Sequence, residues 1–193
     1  MAIPSSYTPI VLEQMFTPLY RDFATTACWE PSPGCGTALK QIDEWRKDLG
    51  PAVILSNFDP RLHALLRAFG ISEHFDAVFI SGEIGWEKPE AGAFEYVRNK
   101  VISTILSAKG GVSSIPKPSS PAQRPSSSPA SLLPPHMCVH VGDHEQIDVR
   151  GALAAGWWAV GVGDKAKVPG MPHTAHIDSV QDLDKALKTL SIL

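Results

Sequence analysis

The sequence predicts an α/β protein built on a parallel sheet with helices on both faces. Three observations predict it. After residue 50 the order reads strand, helix, strand, helix, linker, strand, helix, strand, helix, and such alternation implies parallel strands joined by helical crossovers. The strand candidates are short continuous apolar runs, as strands covered on both faces should be. Polar residues follow directly after the strands, where ligands bind in open α/β sheets.

Along the chain, residues 8–27 carry Leu12, Met15, Phe16, Leu19, Tyr20 and Phe23 at three- and four-residue steps, the period of a helix. Pro31-Ser32-Pro33-Gly34 ends that segment. A second helix over 37–49 presents Leu39, Ile42 and Trp45 on one side, and Gly50-Pro51 closes it. Ala52-Val53-Ile54-Leu55 reads as a buried strand and Ser56-Asn57-Phe58 as the loop after it. Asp59 then caps a helix with Pro60 at its first position, Leu62, Leu65, Leu66 and Phe69 as its core stripe and Gly70 as its stop. Ala77-Val78-Phe79-Ile80 is the next strand. The loop 81–89 leads into a helix with Phe94, Val97, Val101, Ile102 and Ile105 on one face.

Between Gly110 and Pro135 lie seven of the seventeen prolines, with serine tracts and little charge. That composition predicts a disordered insert over 110–135, and its protein partner, if it docks one, is unspecified. Order resumes with a strand over 137–141, the Gly142-Asp143 pair and a helix through Val149, Leu153 and Ala154. A strand over 157–162, a loop over 165–172 and an amphipathic helix over 180–190 complete the chain.

The 193 residues suffice for one core-bearing domain. Apolar residues make up 44%, charged residues 19%, and the formal net charge is −3. No basic block marks a nucleic-acid partner, and the acidic balance disfavours an anionic membrane surface. No apolar run approaches the ~20 residues of a membrane span, and the N-terminus has no secretory pattern. Cys28, Cys35 and Cys138 are odd in number and form no CxxC pair. They read as free thiols in a reducing, intracellular and cytoplasmic setting, with a Cys28–Cys35 bridge as the alternative.

Three polar groups stand at strand ends or in the loops above them. Ser56-Asn57 offers a hydroxyl and an amide where a helix begins. Lys88, before Pro89, offers a cation. Asp143 and Asp148 offer two hard carboxylates of the kind that hold Mg²⁺ together with a substrate phosphate. Singly these residues mark ordinary loops, turns and caps; their order and placement make them a constellation. Gly161-Val162-Gly163 is no dinucleotide fingerprint, because neither a third glycine nor a helix follows.

The series Val53-Ile54-Leu55-Ser56-Asn57, Lys88-Pro89 and Val141-Gly142-Asp143 through Asp148 to Gly151-Ala152 resembles the second, third and fourth motifs of the haloacid dehalogenase-like hydrolase superfamily. The resemblance covers about residues 8–100 and 137–190. It implies a Rossmann-like core over 34–109 and 136–193, with residues 1–33 as the remnant of a helical cap. It implies a Mg²⁺-dependent phosphatase-type site acting on a small phosphorylated substrate. In that site Ser56 and Asn57 bind the phosphoryl group, Lys88 neutralises charge as a catalytic residue, and Asp143 and Asp148 serve the metal.

The family's opening strand, which ends in Asp-x-Asp and supplies the nucleophile, has no counterpart in these residues. Asp182-Leu183-Asp184 lies in the C-terminal amphipathic helix, and Asp22 and Asp43 lie within helical patterns. The expectation is therefore a core without its first, central strand, with two open edges flanking its place, and a chain that is catalytically inactive as a truncated form. The alternative is a non-catalytic module that binds phosphate or a protein.

Overall fold

The computed structural model describes residues 9–108 and 133–193. The expected insert over 110–135 falls outside the described residues except for its last three. Those three are placed: Leu133 packs against the core and Pro135 opens a short 3-10 turn, Pro135–Met137.

The elements follow in chain order. Helix α1 is Pro9–Asp22 and α2 is Cys35–Asp48. Strand β1 (Val53–Ser56), α3 (Arg61–Ala68), β2 (Ala77–Ile80), the single turn α4 (Ser81–Ile84) and α5 (Ala91–Ala108) form the first half. Strand β3 (Val139–Gly142), a π-helical segment Glu145–Arg150, α6 (Gly151–Ala154), β4 (Trp158–Val162), β5 (Thr174–Ile177) and α7 (Leu183–Thr189) form the second.

All strand pairings among the described residues are parallel, in two separate sheets. β1 pairs with β2 in register Val53 to Ala77 through Ser56 to Ile80. The other sheet has the order β3-β4-β5. The faces of β4 explain the layering. Ala159 belongs to a core with Phe94 and Val97 of α5 and Ala152 of α6, whereas Val160 belongs to a core with Ala38 of α2 and Ala186 and Leu187 of α7. Alternate residues of one strand thus feed two helical layers, as a doubly covered parallel sheet requires. Phe94, at 0% exposure, anchors the first core, and burial of such a side chain contributes roughly 1.5–3 kcal/mol.

Several boundaries differ from the sequence reading. Met137 and Cys138 precede β3 rather than starting it, because the 3-10 turn after Pro134 holds them by Met137 N–H to Pro134 O and Cys138 N–H to Pro135 O. Residues 81–84 form a helical turn, closed by Gly85 in the left-handed region (φ 74°). Strand β5 lies just past the expected loop. The helix expected after Asp143 begins as a π-helical segment.

Pro60, expected at the first helical position, stands at the N-cap of α3, and Asp59 just before it accepts from the Arg61 backbone N–H at 3.0 Å. Asp76 fastens the starts of β1 and β2: its carboxylate accepts from Ala52 N–H at 2.9 Å and its own N–H donates to Ala52 O at 2.8 Å. Arg46 of α2 pairs with the same carboxylate at 2.6 Å.

The described apolar side chains of the first segment's stripe are not buried. Phe16, Leu19, Tyr20 and Phe23 are exposed. The contact with the core runs through Arg61, whose guanidinium lies 3.9 Å from the Tyr20 ring centroid and donates to Tyr20 O at 3.2 Å. Trp29 continues that joint edge-on to Phe23 and Phe58. The three cysteines are free, so no Cys28–Cys35 bridge forms. No helix among the described residues is long and apolar enough to cross a membrane.

Candidate functional site

The carboxyl ends of β1 and β3 are joined by a chain of polar contacts, and that chain contains most of the sequence-derived candidates. Asn57, one residue beyond β1, grips the backbone of Lys88. Its Nδ2 donates to Lys88 O at 2.7 Å, and Lys88 N–H donates to its Oδ1 at 2.8 Å. This two-way bond fixes the turn that carries Lys88, whose peptide bond to Pro89 is cis.

From that turn the Lys88 side chain crosses to β3's end and donates from Nζ to Asp148 Oδ1 at 2.6 Å. The pair is nearly dry, with side chains 10% and 5% exposed. Asp148 is also held by His140 Nε2 on Oδ1 at 3.0 Å and by the His144 backbone N–H on Oδ2 at 3.0 Å. Burial pushes the Asp148 carboxyl up, but the hydrogen bonds from His140 and Lys88 outweigh it. Its pKa therefore lies well below the ordinary carboxylate range. Burial lowers the His140 pKa more than its bond to Asp148 raises it. His140 also stands edge-on to Phe94, centroids 5.4 Å apart, which fixes its ring.

The local backbone explains why a glycine precedes Asp143. A Cβ on Gly142 would lie 2.2 Å from Asp148 Cγ, so only glycine lets the carboxylate of Asp148 tuck against the strand end. The π-helical segment serves the same end. It brings Asp148 back under His144, whose imidazole caps it by accepting from the Gln146 and Ile147 N–H groups.

The candidates separate into two groups. Lys88, Asn57 and Asp148 are interlocked, and both Asp148 oxygens are taken. Ser56 and Asp143 stand at the strand ends, and their side chains have no hydrogen bond or ion pair with another described residue; Asp143 is exposed and Ser56 half-buried. Among the described residues no group of three or more His, Cys, Asp or Glu gathers as a metal cage. The donor set fits Mg²⁺ with Asp143 as its one direct carboxylate, since Mg²⁺ binds through one or two carboxylates plus substrate oxygens and waters. Asp148 fits as support rather than as a direct ligand.

Asn57, expected at the phosphate, spends its amide on Lys88. His140, absent from the sequence candidates, supports Asp148 from inside β3. Its only signal in the sequence is a histidine within an otherwise apolar strand. Neither of the two large cavities is lined by Ser56, Lys88, Asp143 or Asp148.

Comparison with known proteins bears on these motifs. The family model for haloacid dehalogenase-like hydrolase matches residues 2–156. The bovine (Bos taurus) haloacid dehalogenase-like hydrolase domain-containing protein 3 is 27% identical over 177 residues, covering 89% of this chain and 57% of that protein. The Drosophila melanogaster rhythmically expressed gene 2 protein is 26% identical over 148 residues, covering 75% and 45%. The chain thus spans about half the length of the curated relatives it matches. Among solved structures, a phosphatase of this superfamily from Thermococcus onnurineus superposes with TM-score 0.56 at 22% identity, over 82% of this chain and 58% of that one. A putative hydrolase from Bacillus subtilis, described as bound to magnesium, superposes with TM-score 0.53 at 17% identity, over 97% and 74%. At those identities the structural matches speak for the fold.

Proposed function

The chain belongs to the haloacid dehalogenase-like hydrolase family, and from that premise we propose that it carries the phosphoryl-clamping and magnesium-binding part of a phosphatase-type site and is catalytically inactive by itself. The observation that carries this reading is the Asn57–Lys88–Asp148 chain across the carboxyl ends of β1 and β3. It fixes the Lys88 ammonium on Asp148 and its backbone on Asn57, and Ser56 and Asp143 are the further groups assigned to this site.

Each group then has a role. Asp148 neutralises and orients Lys88, leaving the other ammonium protons to face a phosphoryl oxygen. Asn57 holds the backbone from which Lys88 reaches out. Ser56 donates its hydroxyl to a second oxygen. Asp143 is the carboxylate that would hold Mg²⁺, and the bound ion would supply further positive charge at the phosphoryl group. The substrate class is a small phosphorylated compound.

None of these groups is a nucleophile held for in-line attack. Asp148 has both oxygens engaged, and Asp143 is assigned to the metal. Loss of a nucleophile costs on the order of 10⁶ in rate in enzymes where it has been removed. Binding should therefore survive where turnover does not. Titration of inorganic phosphate in the presence of Mg²⁺ should give a saturable signal, weakened on the order of tenfold or more by Lys88→Ala and by Asp143→Asn. Hydrolysis of p-nitrophenyl phosphate should stay at background. Turnover that disappears in Asp143→Asn would overturn the inactivity, and phosphate binding indifferent to both substitutions would overturn the site.

A further inference from the structure

β3 has one buried residue, and it is polar. His140 keeps 8% exposure between the half-buried Val139 and the exposed Val141. An apolar side chain at that position would gain from burial, whereas a buried imidazole is unfavourable unless its polar atoms are paired. His140 finds that partner across the strand end, where its Nε2 lies 3.0 Å from Asp148 Oδ1. Its ring is set edge-on to Phe94, with centroids 5.4 Å apart.

We propose that His140 is a positioning residue for phosphate binding, which fixes the Asp148 carboxylate where it can hold the Lys88 ammonium. The inference rests on the reading of Lys88 as the cation that meets a phosphoryl oxygen.

Three donors from three segments converge on Asp148. Lys88 Nζ reaches Oδ1 at 2.6 Å from the turn before α5, His140 Nε2 reaches the same oxygen from β3, and the His144 N–H reaches Oδ2 at 3.0 Å from the turn after β3. These donors keep the carboxyl ionised, and an ionised carboxylate only accepts, so the imidazole donates beside the ammonium. Lys88 is the loose member of the three, a point charge on a flexible four-carbon stem. The imidazole is locked in a strand and the N–H is backbone. Those two therefore place the carboxylate, and the carboxylate places the ammonium. Without His140, Oδ1 keeps only the group it has to position, and the ion pair can swing about its one remaining bond to His144.

His140 also acts on charge. Its bond draws on the same oxygen that faces Lys88. Asp148 can then orient the ammonium without cancelling its whole attraction for an anion. Packing alone would favour a different residue, since leucine fills the space beside Phe94 with no polar atom to satisfy.

The test compares His140→Leu with His140→Gln in the full chain. Glutamine keeps an N–H donor, and leucine removes it. The first readout needs no phosphate. A buried, hydrogen-bonded lysine ammonium exchanges its protons slowly enough to give its own ¹⁵N signal, assigned to Lys88 by its disappearance in Lys88→Arg. The signal should be present in the parent and in His140→Gln and lost to exchange in His140→Leu. Val160→Ala removes volume from the other core at a residue of 0% exposure, so it controls for lost stability and should keep the signal. The second readout is binding of inorganic phosphate in the presence of Mg²⁺. His140→Leu should weaken it about tenfold, and His140→Gln should restore most of that loss.

A Lys88 signal absent from the parent or retained in His140→Leu would overturn the proposal. So would phosphate binding no tighter in His140→Gln than in His140→Leu. If the leucine variant does not fold, His140→Gln decides alone, and loss of its Lys88 signal overturns the proposal. A parent that binds no phosphate while the Lys88 signal behaves as expected would overturn the phosphate site and leave the hold of His140 on Lys88 standing.

Discussion

Asp148 shows how one buried residue sets the chemistry around it. It accepts from Lys88, His140 and the His144 N–H, with almost no exposure to water. A carboxylate taken from water is costly unless every lone pair finds a donor, and here the donors come from three separate segments. Its pKa is depressed in the folded chain, so the stability it contributes is fully present above the unfolded value of about 3.9 and is lost as pH falls toward the folded value. Asp148→Asn leaves Lys88 as an uncompensated buried charge, which costs about 3–5 kcal/mol. Urea denaturation in Mg²⁺-free buffer should show that gap near neutral pH, and the gap should close as both proteins are taken below about pH 4. A gap independent of pH would mean that the carboxylate is not the group at work. Lys88 and Asp148 were singled out in the sequence, and the structure joins them. His140 was not, because a histidine in an apolar strand reads as core until its partner is seen across the strand end.

At the scale of elements, legibility follows burial. β1, β2 and β4 are continuous apolar runs, and the sequence reading found them within a residue or two. β5 was missed because Thr174 and His176 alternate with Ala175 and Ile177 at a sheet edge, where only one set is buried. The π-helical segment was read as ordinary helix, since what shapes it is the grip of Asp148 on the His144 N–H, a contact no local pattern announces. The stripe of α1 was legible as helix, but its destination was not: its described aromatics are exposed. A contact that holds α1 is Arg61, which bonds Tyr20 by ring and by carbonyl while Asp59 orients it at 2.8 Å. Arg61→Ala should speed amide exchange across α1, lowering local protection by about 0.5–1 kcal/mol beyond any change in global stability. Arg61→Lys should restore only part, since an ammonium lacks the flat, forked contact. Unchanged exchange in α1 would place the joint at Trp29 instead.

For the molecule as a whole, the division into two sheets decides which parts open first. The β3-β4-β5 sheet has a covered centre: Ala159, Val160 and Gly161 of β4 are buried, the first two at 0% exposure, between helices on both faces. The β1-β2 pair has no such interior strand, and all of its residues except Leu55 and Ile80 are only half-buried. Two-stranded sheets are marginal without support from a third strand or a packed helix, and here the support is α5 together with the Asp76 and Asn57–Lys88 fastenings. Opening free energies should therefore differ across the chain. Native-state hydrogen exchange should find the slowest amides in β4 and faster ones in β1 and β2, converging only at denaturant concentrations near global unfolding. The ordering follows from topology rather than from composition, because β1 and β4 are equally apolar as sequences and differ in how many neighbours pair with them. If β1 and β4 instead exchanged with one common free energy, the two sheets would form a single cooperative unit, coupled through the helical layers strongly enough to make the unpaired edges energetically silent.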